Sequence, residues 1–161
     1  MKFPRTIQLD GSDNQIYERP ALSGEWAVPA SFAFLDMDPA EMTRKQRQAF
    51  GRGFLGTESL GWSTLVEIAE IDSAEYDAVV QRLANHFVDQ YGAPDLDAAS
   101  PLANEEATFA ATICDDHQLQ TLLVLERESK EDGIVERFKV VRQPSAARHD
   151  NLKLWTFVDD E

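Results

Sequence analysis

The chain has 161 residues, 29 of them acidic and 15 basic, for a formal net charge of -14 at pH 7. Nucleic-acid and anionic-membrane binding rest on Lys and Arg meeting phosphates, so this balance argues against both partners. The hydrophobic fraction of 43% and aromatic fraction of 9% are those of a folded chain, and the length suits a single domain able to build a core without metals or disulfides.

Cys114 is the single cysteine, so no intrachain disulfide can form. The first residues carry no apolar run of signal-peptide length, and no stretch is long enough to cross a bilayer. Together these lead to the expectation of a cytoplasmic protein.

In chain order, residues 3–9 (FPRTIQL) read as a short strand and 10–14 (DGSDN) as a turn, with 15–21 (QIYERPA) as the hairpin partner ended by Pro20. Residues 23–36 (SGEWAVPASFAFLD) read as a strand bent at Pro29, with Phe32 and Phe34 on one face. Residues 38–50 (DPAEMTRKQRQAF) carry a helix start: Asp38 to cap, Pro39 at the first position and Glu41 completing a capping box. Residues 60–71 (LGWSTLVEIAEI) alternate with both faces apolar, the pattern of a central strand. Residues 72–92 form the strongest helix, capped by Asp72, striped from Tyr76 to Tyr91 and ended by Gly92. A loop over 93–101 and a helix over 102–117 follow, the latter with Phe109, Ala110, Ile113, Cys114 and His117 along one side. Residues 119–129 and 133–143 read as a hairpin, and 151–158 (NLKLWTFV) as a last strand. Strands at both ends with helices between them define an α+β domain over 1–161. The expected form is a mainly antiparallel sheet with two longer helices and one short helix packed on one side.

The stretch GRGFLG (51–56) spells G-x-G-x-x-G, and GTESLGWS (56–63) nearly spells a P-loop. Neither has its context. A dinucleotide site needs a strand before the first glycine and a helix N-terminus after it. Here Gly51 follows a helical pattern, and a strand comes next. The P-loop lysine is replaced by Trp62, a neutral indole. The glycines are expected to serve structure: Gly51 as helix exit, and Gly53, Gly56 and Gly61 as turns.

No G-x-S-x-G occurs. Cys114 and His117 share a helix face but lack further ligands, so a core cysteine beside a helix-end histidine outweighs a metal or thiol site. RESKEDG (127–133) reads as a solvated hairpin end. The one local excess of positive charge is Arg44, Lys45 and Arg47 with Arg52. It reads as a solvated face or as a docking surface for an acidic partner or anion, and Trp26 and Trp62 are candidate anchors for that partner besides their role in core packing.

ERPALSGEWAVPASFAF (18–34) and GFLGTESLGWSTLVEIAEI (53–71) resemble an uncharacterised family of small acidic proteobacterial proteins. That resemblance attaches no activity to any residue. It implies an accessory role beside a metal-cofactor oxidoreductase system, since genes of the family lie near accessory genes for molybdenum or iron–sulfur oxidoreductases. The expectation is a non-catalytic accessory or protein-interaction module with no cofactor. The alternatives are a small-ligand-binding domain and an enzyme with a site near His86 and His117.

Overall fold

The computed structural model describes residues 1–144; the expected strand at 151–158 and His149 lie outside them. The chain is α+β. Among the described residues the strands are β1 (Lys2–Thr6), β2 (Ala27–Val28), β3 (Phe54–Gly56), β4 (Trp62–Ser63), β5 (Val66–Glu70), β6 (Leu122–Lys130) and β7 (Gly133–Arg142). The helices are a single turn α1 (Asp13–Ile16), a short α2 (Arg44–Arg52) and two long ones, α3 (Ser73–Gln90) and α4 (Leu96–Thr112). The strands form two antiparallel sheets rather than one, in the orders β1-β5-β6-β7 and β2-β3-β4. Residues 24–26 join them along the free edge of β1: the Thr6 amide donates to the Glu25 carbonyl, and the Gly24 amide donates to the Thr6 carbonyl.

Several elements differ from expectation. Residues 15–21 are not a hairpin partner: β1 pairs with β5 instead, and Tyr17 is buried after α1. The strand expected over 23–36 shrinks to β2, followed by a 3-10 turn at Ser31–Phe34. The turn sends Phe32 toward Phe87 and Tyr91 on the α3 side and Phe34 toward Phe50 and Trp62. Asp38 and Pro39 start a 3-10 turn only. The capping box of α2 is Thr43 with Gln46, not Asp38 with Glu41, so the helix starts five residues later than expected. The strand at 60–71 breaks into β4 and β5, which belong to different sheets, although β5 is central in its own.

The long helices carry the first core cluster. Asp72 accepts from the Glu75 amide at 2.8 Å and opens α3, which buries Val79, Leu83, Ala84 and Phe87 along one face. Burying each of the larger of these is worth about 1.5–3 kcal/mol. α4 begins earlier than expected because Asp95 caps it, accepting from the Ala98 amide at 2.8 Å. Pro101 falls inside its second turn, where the missing N–H leaves the Asp97 carbonyl without its helical donor. The buried face of α4 is Ala99, Ala103, Ala107 and Ala110, small enough for close approach to α3 and β1, while Phe109 turns outward.

Glu106 sits on α4 near Glu105, Glu136 and Arg127, and burial pushes its carboxyl up from 4.5 to about 7, with the two carboxylates adding and Arg127 opposing. A raised acid pKa means that the fold binds a proton the unfolded chain releases. Its unfavourable contribution therefore appears as pH rises from about 4.5 to about 7. Glu106→Gln is expected to leave stability unchanged at pH 4 and to raise it at pH 8, read from urea unfolding midpoints at both values.

Candidate functional site

The glycine stretch runs from α2 into β3 and β4. Gly51 lies inside the last turn of α2, and the helix ends at Gly53 with φ -89°, so the expected left-handed exit at Gly51 is absent. Close approach, rather than turning, explains the other three glycines. A Cβ on Gly56 would lie 2.5 Å from the Glu25 carboxylate, and one on Gly61 would lie 2.5 Å from the Pro20 carbonyl oxygen. A Cβ on Gly53 would lie 2.8 Å from the Trp62 ring. No helix follows Gly56; a turn and β4 do, as the failed nucleotide motif implied.

Glu25 is 2% exposed, and its carboxylate organises this turn. It accepts from the amides of Leu22 (2.7 Å), Glu58 (2.9 Å) and Ser59 (2.8 Å) and from the Ser59 hydroxyl. The far side of β4 is held by residues 19–21: the Trp62 amide donates to the Arg19 carbonyl and the Ala21 amide to the Trp62 carbonyl, each at 2.8 Å. These bonds set where Glu18 and Arg19 stand relative to Trp62.

α2 is fixed from beneath by Arg127. The expectation of a solvated hairpin end at 127–133 fails at this residue, whose side chain is 0% exposed. Its Nε donates to Glu136 at 2.9 Å; its other nitrogens donate to the carbonyls of Ala49, Phe50 and Gly53 at the end of α2 and to that of Pro29 after β2. A cation at a helix C-terminus meets the carbonyls of the last turn, where donors run out; that of Ala49 also accepts from the Gly53 amide. The guanidinium also lies 5.1 Å from the Phe34 ring centroid, and Phe34 lies 5.2 Å from the Trp62 ring. One buried arginine thus carries both the helix and the aromatic pair.

Above that pair opens a cavity of about 420 Å³. Phe34, Trp62 and Tyr91 give it an aromatic floor, and Glu18, Arg19 and Lys45 stand at its charged rim. On the other side of Lys45 is a second recess of about 330 Å³, lined by Arg44, Lys45, Gln48, Gln15 and Ile16. Arg44, Lys45, Arg47 and Arg52 are exposed and, among the described residues, none forms an ion pair. On the β6–β7 hairpin, Arg127, Lys130, Arg137 and Lys139 are paired with glutamates, and Arg142 at its end is not, among the described residues.

The remaining candidates separate. Trp26 is 6% exposed, packs edge-on against Phe3 with Arg5 over its ring, and donates from Nε1 to Glu75 at 3.2 Å; it belongs to the core and does not line the cavity. His86 faces a different recess, of about 310 Å³, with Arg82, Asn85 and Asp89. Its Nδ1 is buried and has no partner among the described residues, and burial pushes its pKa down, against Asp89. His117 does not line that recess; its carbonyl accepts from the Lys2 ammonium. Among the described residues no three His, Cys, Asp or Glu side chains are grouped to hold a metal.

Cys114 is fully buried, and burial, aided by Asp115, pushes its thiol up to about 12. The nucleophilic thiolate is therefore scarce at neutral pH. Iodoacetamide at pH 8 is expected to leave Cys114 unmodified in the native protein and to alkylate it fully in urea, read by mass spectrometry.

The geometry defines an α+β domain with an aromatic-floored surface cavity beside a helix whose cations are unpaired among the described residues. The chain belongs to a family of unknown function, DUF6505, whose model matches residues 1–156. No curated protein and no solved structure matches it. No helix among the described residues is long and apolar enough to cross a membrane.

Proposed function

We propose that this domain acts by binding, without catalytic chemistry, as a cytoplasmic accessory or protein-interaction module that docks a partner through α2. The observation that carries this reading is the set Arg44, Lys45, Arg47 and Arg52, unpaired among the described residues of a chain with 29 acids. Four exposed cations within the nine residues of one helix, with no ion pair among the described residues, are available for an external anion. Service to a metal-cofactor oxidoreductase system is part of the proposal and rests on the sequence resemblance alone. Pull-down from the native host tests it. Arg44→Glu with Arg47→Glu is expected to lower recovery of a specific partner by roughly tenfold or more, as charge reversal at a complementary interface does. Retention of every partner by the variant would contradict it.

The cavity favours one second reading, a small-ligand-binding domain, because its volume falls within the range of ligand sites. A metabolite that raises the melting temperature of the wild type but not of Trp62→Phe would support that reading.

A further inference from the structure

The two recesses are not independent. Lys45 belongs to both, with the aromatic cavity on one side and Arg44 and Gln48 on the other. Anything that fills both must run past Lys45 and present unlike chemistry at its two ends: an apolar planar group over Trp62 and Phe34, then negative charge along α2. The apolar end is demanding. Trp62 is half-buried and, among the described residues, its indole makes no side-chain hydrogen bond. Its outer side borders the cavity while its inner side rests on Phe34 and Gly53. Aromatic seats of this kind, once a partner covers them, are where binding energy concentrates, with charged surroundings setting register and partner choice.

Spacing selects the ligand class. Arg44 lines the second recess, and Arg47, which lines neither recess, follows three residues later on α2, so their side chains project about 5–6 Å apart on one helix face just beyond it. Successive same-side residues of an extended peptide are about 6.6 Å apart, from the rise of about 3.3 Å per residue. An extended peptide with acids at alternate positions therefore places one carboxylate near each cation. Building on the proposed docking role of α2, we propose that the occupant is an extended segment of a partner protein with one aromatic or aliphatic anchor in the cavity and alternating Asp or Glu along α2. Glu18 and Arg19 offset each other at the cavity rim, while the further cations lie on α2, so the acids belong on the α2 side of the anchor.

The test is fluorescence polarisation with the full-length chain and a labelled, end-blocked synthetic peptide carrying one Phe followed by three Glu alternating with Gly. Saturable binding is expected, weakened roughly tenfold or more by Phe→Ala, by Glu→Lys in the peptide, or by Lys45→Glu in the protein, and unchanged by Lys139→Glu. Lys45 is exposed, so its variant should keep the wild-type melting temperature; Lys139 pairs with Glu126 on the β6–β7 hairpin and lines neither recess. No binding, or binding indifferent to the Phe or to the charge sign, overturns the proposal. So does a single-stranded oligonucleotide that binds more tightly, phenylacetate that binds as well as the peptide, or a peptide that drives self-association apart. The chain's own residues 154–161, LWTFVDDE, carry similar chemistry. If Asp159→Asn with Asp160→Asn tightens peptide binding, the surface is used by the chain's own terminus and the proposal falls. Should the peptide fail while a native partner is still lost on Arg44→Glu with Arg47→Glu, the docking role stands and only this ligand chemistry is wrong.

Discussion

Replacing Arg127 by Met is expected to destabilise the domain by about 3–5 kcal/mol, the cost of breaking a buried ion pair from one side. For a chain of this size that lowers the melting temperature by roughly 10 °C or more. The cause is what the guanidinium leaves behind. Glu136 is stranded beside Glu106, the carbonyls of Phe50, Gly53 and Pro29 lose a donor together, and that of Ala49 keeps only the Gly53 amide. Lys at 127 should recover only part of the loss, because one ammonium cannot reproduce the planar fork that reaches all of these acceptors. Arg137 is the control. It also bridges the hairpin, to Glu126 and Glu128, but its side chain is 51% exposed, so Arg137→Met should cost far less than Arg127→Met. Equal costs at the two positions, read from urea unfolding, would show that Arg127 does not anchor α2.

Glu25→Ala is expected to cost about 3–5 kcal/mol for a related reason: three backbone amides and one hydroxyl that converge on its carboxylate lose their acceptor. Gly56→Ala attacks the same arrangement from the other side. Its Cβ would lie 2.5 Å from a carboxylate that cannot swing away without breaking those bonds, an overpacking cost of about 1–3 kcal/mol. The two changes should be strongly non-additive. With Glu25 truncated the added methyl has space, so Gly56→Ala should cost close to nothing in that background. Additive losses would mean that Gly56 is needed for some other reason than proximity to Glu25.

These two residues show where the sequence is hard to read. α3 and the β6–β7 hairpin were legible because cap, stripe and turn are local: Asp72 to Gly92 for the helix, and Lys130 to Gly133 for the turn. The basic face of α2 was legible too, since four cations within nine residues need no tertiary knowledge. Arg127 carries a local signal in its strand register. It continues the inward positions Leu123 and Leu125 of β6, so the alternation that marks the strand also points a guanidinium into the core. Glu25 left none; its donors come from residues 22 and 58–59, which only the fold brings together. The start of α4 was hidden by Pro94 and Pro101 and by a buried face made only of alanine, which gives little apolar contrast. The cavity was invisible for the same reason as Glu25. Its wall is drawn from residues 18–19, 33–37, 45–49, 60–62 and 91, and no periodicity links them.

The central claim, that α2 and the cavity beside it are a binding surface for an acidic partner, bears most directly on the salt dependence of partner affinity. Exposed charges are screened over about 8–10 Å at physiological ionic strength. The measurement is the dissociation constant of the recovered partner between low and moderate salt, for the wild type and for Arg44→Glu with Arg47→Glu. The expected result is binding that weakens with salt in the wild type and is roughly tenfold or more weaker, with a flatter salt response, in the variant. Affinity unmoved by salt and unchanged in the variant would contradict the account.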